Sequence, residues 1–172
     1  MTIYLLSNLI NKKAEEVIYN LNIKNEDIIV VFNHAAPMQY KKIHDHKKKF
    51  LFLRKGEYNQ YGYHGDKKAL QDKHKYEKII LINRSLKSEK FFKKIDATEI
   101  INGKTFVTTY TKNKIPTSGF ISFMYMKNKF PETKINLINF TCSNSTGQRK
   151  YKNHDYSFEQ NFYKQHKVIM LS

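Results

Sequence analysis

Glycine and proline are scarce in this chain, six and three in 172 residues, and cysteine occurs once. The single Cys142 excludes an intramolecular disulfide and fits a reducing compartment. The few glycines form no GxGxxG fingerprint and no GKS/T phosphate loop, and there is no paired-cysteine zinc pattern. Acidic residues are also few, 15 Asp and Glu against 31 Lys and Arg, for a formal net charge of +16. That field attracts polyanions: nucleic acid, anionic lipid headgroups or a phosphorylated glycan. No apolar run is long enough to span a bilayer. The opening MTIYLLSNLINKKAEE turns polar after Ile10 and lacks a basic leader, so a buried first strand is expected there and no signal peptide. The expected setting is the cytoplasm, with the inner face of the membrane as a site of peripheral contact.

Aromatic residues are abundant at 14%, twelve Phe and twelve Tyr with no Trp, and the core is expected to lean on them. Residues 1–172 are expected to form a single domain. Short apolar runs alternate with helical spacings. Strands are predicted at Ile3–Leu6, Asp27–Phe32, Phe50–Leu53, Lys78–Ile82, Thr105–Thr109, Lys134–Phe140 and Val168–Leu171. Helices are predicted from Asn11, as N-cap, to Leu21, and at Ser85–Lys94, Ser118–Asn128 (closed by Pro131) and Asp155–His166. Residues 54–76 and 143–153 read as long polar loops. The run DIIVVF is of the kind buried on both faces of a parallel sheet. The alternation predicts a Rossmann-like α/β fold, a mostly parallel sheet flanked by helices.

In such sheets ligands gather at the carboxyl ends of the strands. That rule selects Ser7 and Asn8 after the first strand and Asn33 and His34 after the second. Pro116-Thr117-Ser118-Gly119 opens a predicted helix, where a hydroxyl cap, a side-chain-free position and unpaired N–H groups suit a phosphate. His154 lies at the start of the next helix, with Glu159 about one turn on. A histidine there can accept a proton from a sugar hydroxyl, and a nearby carboxylate would orient its ring. His44, Asp45 and His46 suggest metal ligands only if they lie in a strand, and the lysines around them oppose a cation.

PTSGF-ISFMYM, then KINLINF, then H-x4-E resembles the sialyltransferases. The animal enzymes carry a P-[ST]-[ST]-G motif and then H-x4-E, and the bacterial lipooligosaccharide enzymes have a comparable [ST]-S-G segment and an Asn ending an earlier strand, as in VVFN here. The likeness covers mainly residues 27–37 and 115–160. It implies a CMP-sugar donor, a glycan or glycolipid acceptor and no metal or other cofactor. By the same likeness His154 would be the catalytic base and Glu159 its support, while Thr117, Ser118, Gly119 and Asn33 would meet the donor. Arg149, with Lys150, Lys152, Tyr151 and Tyr156, would receive the leaving phosphate. In place of the family's early glycine-rich segment the chain has Leu6-Ser7-Asn8-Leu9. A catalytically inactive relative is therefore one alternative. Another is a nucleic-acid-binding protein, because KKKFLFLRKGEYNQYGYHG interleaves cations with stacking rings.

Overall fold

A computed structural model describes residues 1–7, 11–33, 38, 40–54, 73–83, 97–103, 105, 108–140 and 154–171. Seven strands form one sheet: β1 (Thr2–Leu6), β2 (Ile28–Phe32), β3 (Lys49–Arg54), β4 (Lys78–Asn83), β5 (Glu99–Asn102), β6 (Lys134–Ile138) and β7 (Ile169–Leu171). Their order is β5-β4-β3-β2-β1-β6-β7, and each pairing is parallel. The helices are α1 (Lys12–Asn20), α2 (Lys41–His44), α3 (Ser118–Lys129) and α4 (Tyr156–Gln165), with a 3-10 turn at Lys73–Lys75. The expected α/β architecture with a parallel sheet is therefore present.

Alternation along the strands sorts their side chains into two layers. Ile3 and Leu5 of β1, Val30 of β2 and Phe52 of β3 enter one core with Phe120, Phe123 and Met126 of α3 and Tyr163 of α4. Tyr4 and Leu6, Ile29 and Val31, and Leu51 and Leu53 enter the other with Ile18 of α1 and Ile43 of α2. All five residues of β2 are buried, as a central parallel strand requires. Each fully buried Phe, Leu or Ile contributes roughly 1.5–3 kcal/mol. From β1 the chain adds β2 to β5 on one side, then crosses back to add β6 and β7 on the other. Crossovers of constant hand that run in opposite directions leave their helices on opposite faces. The direction reverses between β1 and β6, the point in such sheets at whose carboxyl ends ligands commonly bind.

Helix ends follow local chemistry. Asn11 Oδ1 accepts the Ala14 N–H at 2.7 Å and starts α1 where the sequence predicts. Asp155 caps α4 through the Phe158 N–H at 2.9 Å. One strand was not expected. An edge strand is Glu99–Asn102, and the chain turns just beyond it, with the Thr105 N–H bonded to the Asn102 carbonyl at 3.0 Å; of the expected strand Thr105–Thr109, residues 106 and 107 lie outside the described residues. Gly103 permits that turn to pack: a Cβ there would lie 3.0 Å from Ile82 Cγ2 and 3.1 Å from Ile121 Cδ1. The predicted helix at 85–94, residues 55–72 of the expected loop at 54–76, and the loop at 143–153 lie outside the described residues. Among the described residues no helix is long and apolar enough to cross a membrane.

Candidate functional site

The carboxyl edge of the sheet presents Ser7 after β1, Asn33 after β2 and Asn139 after β6. The Ser7 N–H is bonded to the Ile138 carbonyl at 3.1 Å, which ties the ends of β1 and β6 together at the reversal point. Asn33 and Asn139 both adopt positive φ, 41° and 56°, a conformation that asparagine tolerates at sharp exits from strands. Asn8 and His34, the other residues expected at these strand ends, lie outside the described residues, as does Arg149.

The amino end of α3 is seated over the same edge. Thr117 is its N-cap, with Oγ1 accepting the Phe120 N–H at 3.0 Å. Gly119 is buried, and a Cβ added there would meet Phe140 Cε1 at 2.5 Å. Phe140 follows β6 and meets Phe32 of β2 edge-on, with ring centroids 5.9 Å apart. This aromatic contact holds the Thr117-Ser118-Gly119 turn beside the ends of β2 and β6. The amides of Ser118 and Gly119, which start the helix, have no acceptor among the described residues. The Ser118 carbonyl accepts the Ser122 hydroxyl at 2.8 Å.

Glu159 reaches this turn from α4. Its Oε1 accepts the Thr117 N–H at 2.8 Å and the Tyr110 hydroxyl at 2.9 Å, and its Oε2 accepts the Thr117 hydroxyl at 2.7 Å. Burial pushes the Glu159 carboxyl up to about 7, against the opposing pull of those donors on Thr117 and Tyr110. Burial raises the Tyr110 phenol as well, and the neighbouring Glu159 charge raises it further. The Tyr110 oxygen accepts the Asp155 N–H at 2.9 Å, and Thr111 Oγ1 donates to Asp155 Oδ2 at 2.6 Å. The Thr111 hydrogen bond, with that from the Phe158 N–H, holds the Asp155 carboxyl below its ordinary range.

His154 sits where this network meets the segment before α3. Its Nδ1 is 2.5 Å from the Ile115 carbonyl oxygen. A carbonyl can only accept, so Nδ1 carries a proton, and in the neutral ring the lone pair is on Nε2. Its ring meets that of Tyr156 edge-on at 5.7 Å. The ring is thus oriented by a backbone carbonyl, whereas the sequence suggested Glu159 for this task. The reason is geometric: His154 precedes the N-cap, while Glu159 projects from the buried face of α4 toward Thr117.

The structure therefore brings His154, Glu159, Thr117 and, through Phe140, Gly119 into one cluster. Both roles of the Thr117 hydroxyl, donor to Glu159 and acceptor from Phe120, are taken within the fold. Tyr110, Thr111 and Ile115 were not foreseen. Their contribution is a phenol in an otherwise polar stretch, a hydroxyl and a main-chain carbonyl, and no local pattern marks any of them. His44 and His46 are not strand residues, and no group of three or more metal-ligating side chains occurs among the described residues.

Fold and site together define a doubly wound parallel α/β domain with a histidine and a buried carboxylic acid at the carboxyl edge of its sheet. Compared with known proteins, the chain matches no family model, no curated protein and no solved structure.

Proposed function

We propose that this chain is a glycosyltransferase of the sialyltransferase type, moving an acidic sugar from a CMP-activated donor to a glycan hydroxyl with His154 as general base. One observation carries the reading. The two motifs of the resemblance, PTSG and H-x4-E, meet in space: His154 contacts Ile115 one residue before the first motif, and Glu159 binds Thr117 within it.

The donor lies across the strand ends near Ser7, Asn33 and the α3 turn. Its phosphate takes the Ser118 and Gly119 amides and the positive end of the helix dipole. Nε2 of His154 accepts the proton of the acceptor hydroxyl as its oxygen attacks the anomeric carbon. The bond from that carbon to the CMP oxygen breaks, and the phosphate leaves with the electron pair. Tyr156 donates to that departing phosphate, and the basic segment containing Arg149, Lys150 and Lys152 balances its charge. The acceptor, a glycan or glycolipid, explains the value of a cationic surface near an anionic membrane.

The test is a thermal-shift series with CMP, CDP, UDP, GDP and short oligonucleotides. CMP at about ten times its Kd is expected to stabilise the fold by roughly 1.4 kcal/mol. A response to oligonucleotides of unrelated sequence, with none to CMP, would replace the transferase reading with nucleic-acid binding.

A further inference from the structure

The opposite, amino-terminal edge of the sheet carries a second polar centre. Residues leading into β3 and β4 surround a cavity of about 480 Å³. Its lining includes Lys47, Lys49 and Lys75 together with His44, His46 and His74. Lys49 is the unusual member. It is the first residue of β3, yet only 2% exposed, and it lies on the face covered by α2. Its Nζ donates to the His44 carbonyl, its one hydrogen-bond acceptor among the described residues. An ammonium carries three donors, and a buried charge without a counter-charge is costly.

Neither carboxylate of the lining forms an ion pair with Lys49, although the Asp45 charge favours the ammonium from a distance. Asp45 is exposed and turned to His44, with Oδ1 2.8 Å from Nδ1. Glu77 is exposed and makes no ion pair with Lys49. Burial disfavours the Lys49 charge most, Asp45 partly offsets that, and Lys75 opposes the charge again. The cavity thus joins a buried cation to further cations at its rim, and no triad of metal-ligating side chains is formed there. An anion of small size and high charge would supply the missing acceptors.

We propose that this cavity is a binding site for a phosphate monoester group, with Lys49 at its floor and Lys47 and Lys75 at its rim. The group can be free phosphate or the headgroup of a phosphatidate-type lipid, since both present the same oxygens. The site lies at the other end of the strands from His154 and does not depend on the transferase reading.

The experiment is a titration of the full chain with inorganic phosphate at constant ionic strength, followed by thermal shift and calorimetry. Lys49→Met keeps most of the side chain's length and removes its charge, and replacing a buried charge by an apolar group commonly preserves stability. Loss of a charge-assisted hydrogen bond is expected to weaken phosphate about tenfold or more in Lys49→Met. Lys47→Ala and Lys75→Ala, both at the rim, should each weaken it by a smaller factor, which keeps the test valid if Lys49→Met fails to fold. His154→Ala should leave phosphate affinity unchanged. In a parallel arm, vesicles containing phosphatidic acid distinguish the sources: Lys49-dependent sedimentation of the chain with them identifies the lipid, and Lys49-dependent binding of soluble phosphate alone identifies the free anion. Equal phosphate affinity in wild type and all three lysine variants, no phosphate binding at all, or binding of oligonucleotides only would overturn the proposal.

Discussion

The ring of Phe140 occupies the space that a side chain at Gly119 would need, 2.5 Å from an added Cβ to Cε1. The glycine of the PTSG segment therefore has a packing reason, beyond any approach of a ligand to the backbone. It lets the amino end of α3 rest on the aromatic residue that leaves β6, and so sets where the turn stands relative to the strand ends.

Gly119→Ala is expected to destabilise the fold by about 1–3 kcal/mol, the usual cost of overpacking. Phe140 must move, and it is braced by Phe32 and Tyr163. Urea unfolding measures the loss. A variant as stable as the wild type would show that the ring gives way freely.

Thr117 joins two helices through one side chain, capping α3 and donating to Glu159. Thr117→Val keeps the shape and removes both bonds, so a loss of about 1–2 kcal/mol is expected. Thr117→Ser should recover most of it. Equal stability of the Val and Ser variants would show that the hydroxyl contributes nothing.

The pH dependence of stability should carry the signature of Glu159. Its carboxyl is raised from 4.5 to about 7 in the folded chain. Between those values the native state holds a proton that the unfolded state has released. Stability from this group is thus fully present below about 4.5 and is lost as pH rises through about 7. The change is on the order of 3 kcal/mol. Denaturant midpoints from pH 4.5 to 8 are expected to fall with pH in the wild type and to fall less in Glu159→Gln. Parallel profiles for the two proteins would remove the buried acid as the cause.

Transfer by His154→Ala should fall by about 10²–10⁴-fold, the range that general-base removal costs, while CMP affinity is retained. CMP release from CMP-sialic acid across a panel of glycan acceptors reads the first quantity, and calorimetry with CMP reads the second. Undiminished turnover would withdraw the base assignment, and CMP binding by a wild type that turns over no acceptor would identify an inactive relative.

Much of the fold was legible in the residues. The runs at 28–32, 78–82 and 134–138 are short, β-branched or aliphatic, and flanked by polar residues, which marks buried parallel strands. The cap at Asn11 was equally readable, because a cap is a contact over three residues, whereas Thr117 was not told apart from Ser118 and Asp155 was read as the first helical residue. The edge strand at Glu99–Asn102 was not read: four residues with one buried side chain leave too little periodicity to see.

The alternation of elements, the basic excess and the order of the two motifs belong to the chain as written, since each follows from composition or from neighbours a few positions apart. Only the folded molecule decided the strand order, the partnership of Glu159 with Thr117 and Tyr110, the carbonyl that orients His154, and the burial of Lys49. Those depend on which distant segments the packing of two hydrophobic layers brings face to face, and periodicity along one segment carries no record of that.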